Sequence, residues 1–310
     1  MRLFKYMVLI LAIGETHALA GGPITAVAIA PDAKQVVVGS QHGIEIRSLP
    51  DLNLVNKLMT KLANVNDLKF SRDGRSLLAA GGSPADSGRV EVWSWPEGER
   101  IREVTAHEDV VYSVDWSFDG NQWVTCSGDN QCQVFSAANG QRLARYEGHS
   151  RAVLAVCYLD DRTIASVGVD QTVRLWDSAK GSHVRTLDNH VGVVNDIALR
   201  PTTANESAEV IATISEDRTV RVWQPRIGRL MRFTRLASVP RSLVWSSDAT
   251  QLHVGCNDGR IRTIDAESMS VERELDGLVG RIHDLALEPS GDHIVSVGEN
   301  GCRLIDLRAR

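Results

Sequence analysis

Hydrophobic and polar residues follow one another in short runs along most of the chain, and turn residues separate these runs. Residues 148–177 show the pattern clearly, because three apolar runs of period-two character lie at residues 153–158, 164–167 and 173–176. Segments containing Asp and Gly interrupt them. Such runs are typical of antiparallel strands joined by tight hairpins. With a fourth run at residues 182–187, this stretch predicts a four-stranded antiparallel sheet.

The same unit recurs along the whole chain. An apolar residue, here called the marker residue, lies five positions before the first turn of each unit. The residue numbers place successive markers 41, 46, 42, 41, 46 and 42 residues apart. The markers are Val27, Leu68, Val114, Val156, Ile197, Leu243 and Leu285. A period of about 40–45 residues with four strands per unit is the signature of a β-propeller blade.

Landmark residues identify the kind of propeller. Gly148-His149 opens the central unit, Trp176-Asp177 closes it, and Trp223 ends the next unit. On these residues and the repeat period, the chain resembles the WD-repeat family, with the likeness covering about residues 21–310. The resemblance implies an all-β fold, a seven-bladed β-propeller of four-stranded antiparallel blades. It also implies a non-enzymatic scaffold that binds a protein or peptide partner.

Charge and composition restrict the class of partner. The formal net charge is −5, and both signs are mixed along the sequence. A nucleic-acid-binding domain usually has a basic stripe, so we expect no nucleic-acid partner. Beyond residue 20 there is no run of about 18 apolar residues, so we expect no membrane span in the mature chain. We also expect a monomeric propeller, because radial repeats close into one domain.

The first 20 residues allow two interpretations. Arg2 and Lys5 precede an apolar run at residues 7–13, and Ala18-Leu19-Ala20 follows it. This order is typical of a secretory signal peptide, and it predicts an exported protein, periplasmic or secreted, with the propeller at residues 21–310. However, the last unit has only three strand-like runs. Residues 14–19 could instead supply its fourth strand, in which case the leader is retained and the protein is cytoplasmic.

Two units contain a complete set of polar residues at matching positions. The sets are His149, Ser166, Asp170 and Trp176, and His190, Thr213, Asp217 and Trp223. A hydroxyl, a histidine and an aspartate could indicate a hydrolase triad. Repetition argues against this, because one active site needs one set. The family resemblance implies a structural relay in each blade, in which the buried indole N–H finds an acceptor. The third unit has the same polar residues but Phe135 in place of tryptophan.

Other chemistry is sparse. The five cysteines include no C-x-x-C pair, and we predict no metal site, no cofactor and no catalytic residue. Cys126 and Cys132 flank one turn, where a disulfide is conceivable in an exported protein, although small buried thiols are the expected state.

Two insertions account for the 46-residue steps between markers. One, at residues 81–88, is rich in Gly, Pro and Ser and predicts a mobile loop. The other, at residues 200–209, enlarges the first turn of the fifth unit and includes the glycosylation sequon at Asn205.

The repeat also predicts a functional face. Residues two positions before each marker should lie together at one end of the propeller. This set, here called the face ring, is Thr25, Asn66, Tyr112, Leu154, Asn195, Arg241 and His283. Aromatic and arginine side chains often dominate protein interfaces, so we predict partner binding there.

An alternative function places the chemistry in the central channel. Asp67, Asp196 and Asp284 each stand one position before a marker. Their carboxylates could point to the axis and hold a cation, or serve a hydrolase- or lactonase-like enzyme. Otherwise each bonds local backbone within its own blade.

Overall fold

The computed structural model describes residues 22–202 and 209–308. Within these ranges there are 27 β-strands in seven antiparallel sheets, so the all-β, seven-bladed propeller is confirmed. The single helix in these ranges is a 3-10 turn at Pro225–Ile227, which is far too short to cross a bilayer. Residues 1–20, on which the signal-peptide and closing-strand predictions depend, lie outside the described residues, as does Asn205.

The strands follow one another by blade in chain order. The first three blades contain β1 (Ile24–Ile29), β2 (Gln35–Ser40), β3 (Gly43–Ser48) and β4 (Leu54–Leu58); β5 (Val65–Phe70), β6 (Ser76–Ser83), β7 (Ser87–Ser94) and β8 (Arg100–His107); β9 (Val111–Trp116), β10 (Gln122–Ser127), β11 (Cys132–Ser136) and β12 (Arg142–Tyr146). Blades 4 and 5 contain β13 (Val153–Tyr158), β14 (Thr163–Gly168), β15 (Val173–Asp177) and β16 (Ser182–Leu187); β17 (Val194–Leu199), β18 (Ile211–Ser215), β19 (Thr219–Gln224) and β20 (Arg229–Arg235). Blades 6 and 7 contain β21 (Pro240–Trp245), β22 (Gln251–Cys256), β23 (Arg260–Asp265) and β24 (Val271–Asp276); β25 (Ile282–Leu287), β26 (His293–Gly298) and β27 (Gly301–Asp306).

Each sheet is a meander in which neighbouring strands pair in sequence order. Six sheets have four strands, and the sheet of blade 7 has three strands among the described residues. The first strand of each blade, here called the inner strand, lines the central channel. Val27 and Val38 of blade 1 pack with Val295 and Val297 of blade 7, so the described blades close into a ring.

The hydrophobic core consists of layers between adjacent blades. In the layer between blades 4 and 5, Trp223 packs against Val167 and Leu175, and all three side chains are buried. Each sheet therefore buries both faces against its neighbours, which explains why the strands read as runs that are apolar on both sides. All five cysteines are buried and free, and Cys126 and Cys132 are directly paired across β10 and β11 without a disulfide.

The prediction of a mobile loop at residues 81–88 is wrong. This segment extends the β6–β7 hairpin, with Gly82 paired to Gly88 and Ser83 to Ser87. A Cβ atom on Gly81 would overlap the carbonyl oxygen of Asn64, which lies in the link from blade 1 to blade 2. Glycine here allows two backbone segments to approach closely, and it does not indicate a mobile loop.

Candidate partner-binding face and central channel

The polar set of blade 4 forms one hydrogen-bonded chain. The Trp176 Nε1–H donates to Ser166 Oγ (3.2 Å), and His149 contacts Ser166 Oγ through Nε2 (2.8 Å) and Asp170 Oδ2 through Nδ1 (3.0 Å). Because the serine oxygen accepts the indole proton, its own hydrogen can go to Nε2, which leaves Nδ1–H to donate to Asp170. His149 precedes β13, so the chain ties the link between blades to the blade's centre.

Blade 5 repeats this geometry with a threonine. The Trp223 Nε1–H donates to Thr213 Oγ1 (2.9 Å), and His190 lies 2.8 Å from Thr213 Oγ1 and 2.9 Å from Asp217 Oδ2. Burial alone would raise the pKa of Asp217, but hydrogen bonds from Thr219 and His190 outweigh it and hold that pKa well below its usual range. Burial lowers the pKa of His190. The hydroxyl is fully buried and bound to the indole, so it is not placed to attack a substrate.

Blade 3 holds the same chain without its indole. His107 lies 2.9 Å from Asp129 Oδ2 and 2.8 Å from Thr125 Oγ1. Phe135 occupies the tryptophan position and stacks on Trp123 with ring centroids 4.2 Å apart. The aromatic layer is therefore kept where the donor is lost.

Blade 2 uses a different residue for the same purpose, and sequence reasoning missed it. Glu91 on β7 is fully buried and accepts hydrogen bonds from Thr60 Oγ1 (2.7 Å), the Lys61 backbone N–H (2.9 Å) and Arg100 Nη1 (2.7 Å). Thr60 and Lys61 belong to the link entering blade 2, so Glu91 fixes that link as the histidines do elsewhere. Glu91 stands at the same position in its blade as Arg174 does in blade 4, because each pairs with the residue opposite the marker. This equivalence was the available signal.

The structure places the whole face ring at one recurrent feature. In all seven blades the pairing of the inner strand with the next strand shifts register at the face-ring residue, which is therefore a β-bulge. These bulges lie at the start of each inner strand and so at the same end of the propeller. They redirect seven side chains around the mouth of the channel.

Three face-ring residues bond to the next blade. Asn66 Nδ2 donates to the Val111 carbonyl (2.8 Å), and Asn195 Nδ2 donates to the Pro240 carbonyl (2.9 Å). The Thr25 hydroxyl donates to the carbonyl of Val65 in the same way. These side chains serve the ring itself and are less available to a partner.

The other four face-ring residues are freer to contact a partner. Tyr112 is 37% exposed, and Leu154 is half-buried. Arg241 donates from Nε to Asn257 Oδ1 (2.7 Å) and lies 3.2 Å from Glu216 Oε1. His283 has a buried Nε2 with no hydrogen-bond partner in the described residues, and burial lowers its pKa.

The three channel aspartates bridge neighbouring blades. Each carboxylate accepts the backbone N–H of the marker residue in its own blade and that of the marker in the next blade. The donors are Leu68 (2.8 Å) and Val114 (2.8 Å) to Asp67, Ile197 (2.7 Å) and Leu243 (3.0 Å) to Asp196, and Leu285 (2.8 Å) and Val27 (3.0 Å) to Asp284. The bond to the marker of the same blade agrees with the expectation that each aspartate bonds local backbone. The bond to the marker of the next blade was not expected from the sequence.

In each channel aspartate, both carboxylate oxygens are engaged by backbone donors. The described residues contain no group of three or more His, Cys, Asp or Glu side chains that could hold a metal ion. Burial raises the pKa of Asp196 to about 7 and that of Asp284 to about 6, and repulsion between these carboxylates adds to the effect. The channel, about 730 Å³ in volume, also contains Lys69, whose ammonium lies 3.7 Å from Asp115.

Comparison with known proteins agrees with this geometry. The family model described as "WD domain, G-beta repeat" matches residues 98–136, 140–177 and 181–224, which run from the outer strand of blade 2 to the third strand of blade 5. Three segments of the chain thus match WD repeats, and they lie within a seven-bladed propeller. The matched repeats include the blades in which the histidine–hydroxyl chain is present.

The curated relatives of this chain are distant. It is 25% identical over 201 residues to telomerase protein component 1 of Mus musculus, covering 64% of this chain and 8% of that protein. It is 24% identical over 243 residues to the anaphase-promoting complex subunit cdc20 of Dictyostelium discoideum, covering 75% and 46%. It is 23% identical over 257 residues to nuclear distribution protein PAC1 of Arthroderma benhamiae, covering 70% and 54%. The chain thus spans about half or less of the length of these relatives.

Proposed function

We propose that this WD-repeat propeller is a monomeric, non-enzymatic scaffold that binds a protein or peptide across the face-ring end. The names of two relatives support a role in assembly, because one is a component of telomerase and the other a subunit of the anaphase-promoting complex. The polar chemistry that could suggest an enzyme is engaged in bonds within and between blades. A binding role uses the surface that remains.

The observation that carries the proposal is the presence of exposed and partly exposed anchor residues on rigid supports at this end. Tyr112 and Arg241 stand on bulges, where their side chains are directed by the backbone rather than by a flexible loop. Val191 and Val279, in the links entering blades 5 and 7, are 73% and 77% exposed. Aromatic, arginine and apolar side chains on rigid supports are the groups that provide most of the energy of protein interfaces.

A double substitution tests the face directly. Tyr112→Ala with Arg241→Ala should reduce capture of the partner by about a hundredfold, the combined effect of losing two anchors of about 1–2 kcal/mol each. The measurement is quantitative affinity purification from the native host, followed by titration of the purified partner. Circular dichroism melting should show an unchanged fold, since Arg241 bonds to Glu216, Asn257 and Asn195 at the channel mouth rather than to the core, and Tyr112 is partly exposed.

A matched control removes the same chemistry from another surface. Phe233→Ala with Arg229→Ala takes an exposed aromatic and an exposed arginine from the outer strand β20. We expect this variant to capture the partner as the wild type does. Loss of capture in the control variant, with the face variant unaffected, would place the binding surface on the perimeter instead.

A further inference from the structure

A cavity of about 270 Å³ lies between blades 6 and 7, at the end of the propeller opposite the face ring. The turn between β21 and β22, the turn between β25 and β26, and the residues after β27 form its walls. His253, Thr263 and Arg273 line it from the strands of blade 6, and Ser290 and Leu307 line it from blade 7. Most of these side chains are polar, whereas the packed layers between blades are mainly apolar.

The histidine is not required by the fold. In every blade the marker residue pairs with a residue on the second strand. The residue that comes just before this partner in the sequence faces the next blade. It is aliphatic in the other six blades: Val37, Leu78, Val124, Ala165, Ala212 and Val295. In blade 6 it is His253, which is only 3% exposed. Burying an imidazole in place of an aliphatic side chain is costly unless its nitrogens find partners.

His253 and its neighbour leave one hydrogen-bond donor unmatched. His253 Nδ1 lies 3.0 Å from Thr263 Oγ1, and this is the single hydrogen bond that either side chain makes within the described residues. Burial lowers the pKa of His253 to about 4, so the imidazole is neutral and carries one proton. If Thr263 donates to Nδ1, the proton on Nε2 has no acceptor. If Nδ1 donates to Thr263, the hydroxyl proton has none.

A second cavity in the same chain shows what the site looks like without this pair. Between blades 2 and 3, a cavity of about 610 Å³ is lined by residues at equivalent positions, including Arg102 and Val92. Arg102 donates to the Ala137 carbonyl (2.9 Å) as Arg273 donates to that of Leu307. Val92 replaces Thr263 there. The arginine is therefore a repeated clasp between blades, whereas the histidine–threonine pair is particular to blade 6.

We propose that the cavity between blades 6 and 7 binds a small oxyanion, a carboxylate or phosphate group. The oxyanion would accept the unmatched proton of the His253–Thr263 pair and lie beside the Arg273 guanidinium, the group best suited to carboxylate and phosphate oxygens. The carboxylate of Asp248 at the rim would repel an anion. This carboxylate is already engaged, because Ser246 Oγ (2.6 Å) and Thr250 Oγ1 (2.8 Å) both donate to it. A cavity of this volume holds several water molecules and so has room for such a group.

Nuclear magnetic resonance of the full chain with isotope-labelled histidine tests the proposal. Sodium acetate and inorganic phosphate are titrated separately, with sodium chloride at matched ionic strength. We expect a saturable shift of the His253 resonances with acetate, phosphate or both, and none with chloride. A response to acetate alone indicates a carboxylate ligand, and a response to phosphate alone indicates a phosphate ligand.

Variants that keep the His253 reporter define the site. Thr263→Val and Arg273→Gln should each weaken binding of the oxyanion by about tenfold, the usual effect of losing one hydrogen bond to a charged group. Arg102→Gln, at the equivalent arginine of blade 2, should leave the titration unchanged. Equal responses in the wild type and both site variants would overturn the proposal, as would the absence of any saturable shift.

A stability measurement separates binding from folding. His253→Val introduces the residue that blades 1, 3 and 7 carry at this position, so the thermal midpoint should be retained or raised. A clear fall in the midpoint would assign the imidazole to the fold and contradict the proposed site.

Discussion

At the scale of single residues, the propeller satisfies buried polar atoms with short chains of side chains. Trp223, Thr213 and His190 form such a chain in blade 5, where each buried donor meets an acceptor. Ser296 of blade 7 shows the opposite case. It stands at the position of Thr213, but its hydroxyl has no partner within the described residues, because Leu278 and Ile305 occupy the histidine and tryptophan positions. A hydroxyl at this position is therefore satisfied only where the histidine or the indole is also present.

Substitution of Trp223 separates the hydrogen bond from the packing. Trp223→Ala should lower the free energy of unfolding by about 3–5 kcal/mol, as expected for truncation of a fully buried aromatic side chain. Trp223→Phe recreates the arrangement of blade 3, where Phe135 replaces the indole, and should cost about 1–2 kcal/mol. Denaturant unfolding with linear extrapolation measures both.

The order of these two costs is the discriminating result. An alanine variant with an unchanged thermal midpoint would contradict a structural role for the indole. Equal losses in the alanine and phenylalanine variants would mean that the hydrogen bond, rather than the aromatic volume, stabilises the blade.

Sequence reasoning identified the relay residues because their spacing is repeated in the chain. Glu91 performs a similar task but was missed, since its partners Thr60 and Lys61 come from the preceding link and follow no repeated spacing. His253 was missed for another reason. Its position becomes unusual only when strand register shows that the other six blades have an aliphatic residue there.

At the scale of strands and turns, the inner strands join the blades through side chains as well as through packing. Each carries a bulge at its start, and three of them carry an aspartate that accepts N–H groups from two blades. A single sequence shows that Asp67, Asp196 and Asp284 are equivalent, but not which blade supplies the second donor. The hairpin at residues 81–88 shows the same limit, because glycine in the sequence does not distinguish mobility from close packing.

The channel aspartates predict a dependence of stability on pH. Burial raises the pKa of Asp196 to about 7 and of Asp284 to about 6, above their values in the unfolded chain. The folded state therefore binds more protons than the unfolded state between about pH 4 and pH 7, and the free energy of unfolding falls as pH rises through this window. For Asp196 the change is on the order of 2 kcal/mol, reduced from the full shift because the carboxylate is partly exposed to the channel.

Urea unfolding at several pH values measures this effect. Asp196→Asn removes the titrating proton and should flatten the profile between about pH 4 and pH 7. Asp248→Asn is the control, since hydrogen bonds from Ser246 and Thr250 lower the pKa of Asp248 and place its titration below this range. A profile that is equally steep in the wild type and Asp196→Asn would show that this carboxylate is not the source.

At the scale of the whole molecule, the ring was predictable because it is a sevenfold repetition of one unit. The repeat period fixed the number of blades, and the three strand-like runs of the last unit match β25–β27. The partner was not predictable in the same way, because the face ring differs from blade to blade and has no repeated motif.

We propose that the protein is exported after removal of residues 1–20. The charged start, the apolar run and the Ala-x-Ala site coincide in this stretch, as in secretory signal peptides. Mass spectrometry of protein purified from its own host should give a mature terminus at Gly21. An intact terminus would overturn export, and would favour pairing of residues 14–19 with β27, which pairs only with β26 among the described strands.

The bonds between blades 7 and 1 have a consequence for a backbone cut by a protease. Blade 7 holds blade 1 through Asp284 and Val27 and through their shared apolar layer, with no chain segment running between β27 and β1 in the described residues. The same kind of contact joins blades that are consecutive in sequence. A nick in an exposed link would therefore remove one covalent connection while the blades on either side stay in place, so the two fragments would remain one particle until denatured.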